Sequence, residues 1–254
     1  MTGASADLAR MSWPEVETAL KQGRRTVVFA CGSIEQHGPH LPLVTDTLFG
    51  DVLSARVAER MRGVLTGPTL PLGVSPHHMS FPGTITLSAP TFTKVVAEYI
   101  ESLASHGFEN VLVIPSHGGN FGPLGDLLHQ TGGRIGTARF IPYTGLQAFI
   151  KAMTEVGNRD GVSSAVSGSH AGEAETSIML AMRPDLVDLA AAVPGYLGHF
   201  DDETADRLFE GGTAALSEMG VLGDPRPADA ERGVRYLRSL TDLLVTHFET
   251  EIQR

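Results

Sequence analysis

Cysteine is almost missing from this 254-residue chain, which has one. A single thiol excludes an intramolecular disulfide framework and any cysteine-cluster zinc site. It also fits a reducing compartment. Tryptophan is equally scarce, at one residue, and aromatics reach only 6%. Positive charge is in deficit, with 19 Lys and Arg against 29 Asp and Glu and a formal net charge of −10. Non-specific binders of nucleic acid or of anionic membranes carry the opposite sign, so neither partner is expected. An acidic chain favours cations instead, metals included. No apolar run reaches the roughly 18 residues of a membrane span. The opening MTGASADLARMSW lacks the apolar core of a signal peptide. A cytoplasmic protein is expected.

What the chain does hold is an ordinary globular composition, 42% hydrophobic and 19% charged, in a mass of 27.0 kDa. That excludes disorder as the main state and allows one sizeable core. Glycine and proline, 29 and 15, are spread along the chain, with no repeat and no low-complexity block. A single domain over residues 1–254 is expected.

Helix and strand signals alternate. Ser12, Pro14 and Glu15 form a capping-box start, and Gly23 closes that helix. Thr26 to Ala30 reads as a buried strand that runs into CGSIEQHGPHLP. A helix from about Thr47 to Met61 and a short strand from Leu65 to Leu70 follow. The segment around Pro82, Gly83 and Thr84 reads as loop. Val95, Val96, Tyr99, Ile100 and Leu103 recur at helical spacing from Pro90 onward, with Gly107 as the stop. Val111 to Pro115 is a second buried strand, running into SHGGN, with a helix starting near Pro123. Ala138 to Ile141 reads as strand, Glu173 to Met182 as helix, and Ala228 to Phe248 as the strongest helix. Alternation of this kind predicts a mostly parallel sheet with helices on both faces and a site at the carboxyl ends of strands.

Four groups of residues carry possible chemistry. Glu35-x-His37, with Asp46 nine residues on, offers ligands suited to Zn²⁺, Mn²⁺, Fe²⁺ or Co²⁺. The bland alternative is a solvated loop with incidental polar residues. His40 in the same loop reads as structural. Ser116-His117-Gly118-Gly119-Asn120 follows a strand and precedes a helix, so phosphate cradling competes with a plain turn. It lacks the dinucleotide spacing, and Ile114 stands where a Ser116 nucleophile elbow needs glycine. His170 and Glu173 lie three apart at a helix start and can share a face. Glu173 is favoured as a ligand, whereas Glu175 reads as an acid placed for the helix dipole. His77 and His78 are adjacent, so at most one faces a site, in a loop that either lines a substrate or is structural. His106, His129, His199 and His247 read as ordinary histidines. Cys31 reads as a small buried residue, not a nucleophile.

Taken together, GSIEQHGPHLPLVTDT (Gly32 to Thr47), FPGTITL (Phe81 to Leu87), SHGGN (Ser116 to Asn120) and HAGEAETS (His170 to Ser177) resemble the creatininase, or creatinine amidohydrolase, family. SEMGVLGDP (Ser217 to Pro225) is similar to family members that include the mycofactocin-system peptidase. The resemblance implies a three-layer α/β sandwich, a homohexamer and a two-metal site. That site would hydrolyse a C–N amide-type bond, in a cyclic amide or formamide, with a metal-activated water. It implies that Glu35 and His117 bind one metal, His37 the second, and Asp46 both, with zinc the first choice of metal. His170 matches a histidine that handles protons, with Glu173 beside it in the catalytic group. His78, Asn120, Gly118 and Gly119 are candidates for orienting a small amide substrate. Two departures from creatininase proper matter. Gly119 stands where it has a glutamate ligand, which makes Glu173 the replacement. The pocket tryptophans are missing, Val166 standing at one of their places, so creatinine is not the expected substrate. Alternatives are a mycofactocin-type peptidase trimming a modified precursor peptide, or a non-catalytic metal- or nucleotide-binding module.

Overall fold

The computed structural model describes residues 7–198 and 202–254. Helix α1 (Trp13–Lys21) starts at the expected capping box, where the Glu15 carboxylate accepts from the Ser12 amide at 2.7 Å. Strand β1 (Thr26–Cys31) is followed by α2 (Thr45–Arg60), β2 (Val64–Thr66), α3 (Ala89–Ser105) and β3 (Asn110–Pro115). Then come α4 (Phe121–Thr131), the two-residue β4 (Arg134–Ile135), β5 (Ala138–Pro142), α5 (Leu146–Arg159), and the single turn α6 (Ser164–Ser167). The chain finishes with α7 (Glu173–Met182), α8 (Asp202–Gly211) and α9 (Ala230–Gln253).

The strand expected over Leu65 to Leu70 is shorter, because Gly67 and Pro68 interrupt it. Leu70 rejoins the sheet only as a single bridge to Cys31. Helix α5 was not anticipated: its N-cap is Gly145, with no side-chain cap to mark the start. Helix α8 and strand β4 were likewise not anticipated.

The sheet runs in the order β2-β1-β3-β5-β4, parallel except for the β4–β5 pair. Side chains alternate across it, as a strand period of two requires. Val28, Ala30, Leu112 and Ile114 face α2, α5, α7 and α9, while Phe29, Cys31, Val111 and Val113 face α3 and α4. Helix α1 packs beside that second layer through Ala19, against Val27, Leu65 and Phe108. The result is the expected three-layer α/β sandwich.

The order 2-1-3 makes the β1–β3 boundary the point where crossovers reverse direction. In open α/β sheets, ligands bind at such a point, outside the strands' carboxyl ends. Cys31 and Pro115 lie in register across that boundary, so both polar loops leave the sheet side by side.

Candidate metal centre

The first loop is held by backbone bonds before any side chain acts. Glu35 N–H donates to Leu43 O at 3.0 Å, Ile85 N–H to Ile34 O at 2.9 Å, and Gly32 N–H to Leu70 O at 2.9 Å. Gly38 turns the chain at φ +64, a left-handed conformation that glycine adopts without strain. Helix α2 begins two residues earlier than its sequence suggests, which puts Asp46 in its first turn. Glu35, His37, Asp46 and His117 are all 4% exposed or less.

Hydrogen bonds define which histidine nitrogen is free. His37 Nδ1 donates to Glu35 O at 3.1 Å, which turns Nε2 toward Asp46 Oδ1 at 3.3 Å and Glu175 Oε2 at 3.8 Å. His117 does the reverse. Its Nε2 donates to Val74 O at 3.0 Å, so Nδ1 faces Glu35 Oε2 at 3.1 Å and Asp46 Oδ2 at 3.2 Å. A backbone carbonyl on the far nitrogen is the usual arrangement behind a metal-binding imidazole. Asp46 thus turns one oxygen to each histidine. The donors form two sets, Glu35–Asp46–His117 and His37–Asp46–Glu175, and Glu35, His37 and His170 form a third convergence. Glu35 Oε2, His37 Nε2 and Asp46 Oδ2 are buried with no hydrogen-bond partner. Orphaned buried donors and acceptors of this chemistry fit a divalent cation.

The charges agree. Burial alone would raise Asp46 and Glu35, yet His37 and His117 hold Asp46, and His117 holds Glu35, well below the usual carboxylate range. Burial also opposes charge on His37, but Asp46 and then Glu175 push it to about 10; Glu35 and Asp46 raise His117 as well. Glu175 is lifted to about 7 by burial, despite the His37 charge. Without metal, both imidazoles therefore carry protons at neutral pH, and a cation must displace them. Metal affinity is expected to rise with pH, by up to about a hundredfold per unit near pH 7 if two protons leave. Calorimetric titration in buffers of different ionisation enthalpy measures the protons released; none released would contradict this ordering.

The replacement ligand is where the expectation needs correction. Glu173 is fully buried but faces α9, where it accepts from Ser177 Oγ at 2.5 Å, Arg232 Nε at 2.5 Å and Tyr236 OH at 2.7 Å. It belongs to none of the converging sets among the described residues. Two residues along a helix rotate the side chain by roughly 200°, and it is Glu175 that faces His37. Its Oε2 also accepts from the Ala171 amide at 2.6 Å, across a turn where Ala171 has φ +51. No side chain fits at position 119: a Cβ on Gly119 would lie 2.1 Å from Val74 O and 2.5 Å from His117 Nε2.

Two substrate candidates also take other roles. Asn120 is fully buried and its amide is fully occupied. Oδ1 accepts from Val74 N–H at 3.0 Å, and Nδ2 donates to Cys31 O and Gly32 O at 2.9 and 3.0 Å. It ties the two loops together and has no hydrogen left for a ligand. His78 is buried against the cluster, its Nε2 3.4 Å from Glu35 Oε1. Gln36 sets its tautomer. Because Gln36 Oε1 accepts from Gly38 N–H, its Nε2 donates to His78 Nδ1 at 2.8 Å and to Gly220 O at 3.1 Å. Gln36, a neutral residue with no spacing signal of its own, braces the centre from inside the first motif. Gly118 is exposed beside these groups.

His170 closes the far side. Its Nε2 donates to Gln36 O at 2.7 Å, and Nδ1 lies 3.8 Å from Glu35 Oε1. Burial and the His37 charge lower it to about 3, so its ring is neutral at rest. His40 Nε2 bonds Thr176 Oγ1 at 2.9 Å, a structural tie between the first loop and α7. His77 is buried and its ring stacks on that of His117. Cys31 is buried, which pushes its thiol well up and leaves it no nucleophile. Ser116 Oγ donates to Asp46 O at 2.8 Å and supports α2. His106 and His129 are exposed, and His247 bonds Pro142 O. His199 lies outside the described residues.

A mostly parallel sheet whose switch point carries a buried Glu, His and Asp cluster is the setting of a metal-dependent hydrolase, and the family assignment makes it an amidohydrolase. The chain belongs to the creatininase family: the family model, described as creatinine amidohydrolase, matches residues 9–248. Among its relatives, the mycofactocin precursor peptide peptidase of Mycobacterium ulcerans (strain Agy99) is 32% identical over 225 residues, covering 85% of this chain and 82% of the relative. The creatinine amidohydrolase of Pseudomonas putida is 28% identical over 248 residues, 90% of each chain. A creatininase variant complexed with creatine superposes with a TM-score of 0.79 at 26% identity, over 97% of this chain and 98% of that one. Other solved creatininases are described as Zn–Zn and Mn forms.

Proposed function

We propose that this chain hydrolyses a small cyclic amide or formamide at a centre of two divalent ions, zinc first and manganese, iron or cobalt next. The carrying observation is Asp46, whose two oxygens address two separate donor sets, while its own Oδ2, Glu35 Oε2 and His37 Nε2 are buried without a hydrogen bond. Glu35, His117 and Asp46 would hold one ion; His37, Asp46 and Glu175 the other. Ions held there supply polarisation of a carbonyl and acidification of water. His170, neutral and fixed by Gln36 O, keeps its Nδ1 lone pair toward the centre. It takes the proton of the attacking water at Nδ1 and passes it to the departing nitrogen. The backbone amides of Gly118 and Gly119 orient the substrate.

Creatinine is not the proposed substrate. Trp13, the single tryptophan, lies 78% exposed on α1. A second reading, trimming of a modified precursor peptide, has its own support. The segment Ser217 to Pro225, which is similar to the peptidase, touches the centre. Leu222 pairs with His170 as an antiparallel bridge, and Gly220 O accepts from Gln36. The match over residues 9–248 supports one domain spanning 1–254. Among the described residues no helix is long and apolar enough to cross a membrane. A cytoplasmic homohexamer completes the proposal, supported by the lone buried cysteine and the family assignment.

Elemental analysis of gently purified protein should return close to two metals per chain. The loaded protein should then turn over lactams or formamides faster than creatinine. Preferred cleavage of a peptide would establish the second reading, and creatinine turnover above all other amides would overturn the substrate assignment. Light scattering at a hexamer mass tests the assembly.

A further inference from the structure

We propose that Arg232 and Tyr236 of α9 are positioning residues for one half of the metal centre, acting through Glu173 on the first turn of α7. The inference rests on the two-metal reading above. Its starting point is a buried charge that the chemistry does not use. Glu173 is fully buried, Arg232 is 9% exposed and Tyr236 is fully buried. Three donors converge on one carboxylate: Ser177 Oγ and Arg232 Nε on Oε1, and Tyr236 OH on Oε2.

The surroundings make this a stitch between two helix starts. Arg232 also donates to Pro227 O at 2.6 Å, and its backbone N–H caps on Asp229 Oδ1 at 2.8 Å. Ser177 Oγ, while donating to Glu173, accepts from Asp229 N–H at 2.9 Å. Beside it the helices touch backbone to backbone, since a Cβ on Gly233 would lie 1.9 Å from Ser177 O. Neither helix can slide or roll over the other without breaking directional bonds.

Rotation of α7 is what the centre is sensitive to. Glu173 and Glu175 share the first turn but point to nearly opposite sides, Glu173 to α9 and Glu175 to His37. Holding one carboxylate therefore sets the other. The turn just before is the conformation least able to hold itself: Ala171, at φ +51, is the one non-glycine residue with positive φ among the described residues. Its amide bonds Glu175 directly, and His170 precedes it. A buried ion pair is a poor device for stability alone, because apolar packing of the same volume serves as well. A guanidinium that reaches Glu173 through Nε and Pro227 O through Nη2, with a phenol on the other oxygen, fixes orientation, which apolar packing does not.

The test uses the full chain, metal-free and then titrated with Mn²⁺, for wild type, Arg232→Met, Arg232→Lys and Tyr236→Phe. Thermal melts and electron paramagnetic resonance are recorded alongside the titrations. Wild type should bind two ions and give the spectrum of a coupled pair. Arg232→Met should keep one ion at wild-type affinity and weaken the other by roughly 10–100-fold, the range for groups behind a ligand. Its spectrum should become that of an isolated ion. Tyr236→Phe, which keeps the Arg232 pair and so the fold, should weaken the same ion several-fold, and Arg232→Lys should fall between wild type and methionine. Two ions at wild-type affinity in Tyr236→Phe, or in an Arg232→Met protein that merely melts lower, would overturn the inference. A wild-type protein that never binds a second ion would remove the two-metal reading and the inference with it, visible before any variant is examined.

Discussion

Asp46→Ala is expected to leave the centre without a stable pair of ions and to lower turnover on the order of a thousandfold or more, since each metal supplies several kcal/mol to the reaction. The reason is geometric. Asp46 is the one residue shared by the Glu35–His117 and His37–Glu175 halves. Its loss would take a carboxylate from both donor sets, and with it the charge that faces both histidines. The variant should fold, because the α2 backbone bond from Ser116 Oγ goes to Asp46 O and does not need the side chain. Without Asp46 the main influence raising His37 disappears, so the His37 imidazole should become easier to deprotonate. Elemental analysis and circular dichroism on the same sample decide the matter: a folded variant still holding two ions per chain would remove Asp46 from its bridging place.

His170→Ala should do the opposite, keeping two ions while turnover falls by about 10²–10⁴, the usual contribution of a positioned acid–base group. His170 is fixed through Nε2 to Gln36 O, and its other nitrogen faces the Glu35 side of the centre. Burial keeps its ring neutral at rest, so Nδ1 has a lone pair for the proton it receives and later gives. Added imidazole should restore part of the lost rate. Full activity in the alanine variant would take His170 out of the proton path, and loss of a metal would make it a ligand, as its convergence with Glu35 and His37 allows.

The two loops at the β1 and β3 ends were legible because strand, glycine-rich turn and polar residues follow each other locally. Their adjacency follows from a parallel sheet. Glu173 and Glu175 were not separable in that way. Both acids occupy the first turn of α7, and the choice between them is made by Arg232 on α9, 59 residues on, which no local pattern displays. Asn120 shows the same limit. Next to a ligand it reads as a substrate group, but the close approach of Val74 and Gly32 claims its amide. His78 looked like a lining residue because its partners, Gln36 and Thr213, come from distant segments. Helix α5 has the apolar residues of a helix but no capping side chain to mark its start.

The tight contact of Gly119 with Val74 O has a bearing on how such centres diverge and on how they can be redesigned. Placing an acidic donor in the loop after β3, in place of the proposed one on α7, is not an exchange of two letters. The intermediate with a side chain at 119 collides with main chain, and that main chain is pinned by Asn120. The alternative donor layouts are therefore separated by a backbone step. A laboratory lineage seeking the other layout has to begin by loosening Gly73 to Ser75, and only afterwards can a carboxylate at 119 be selected.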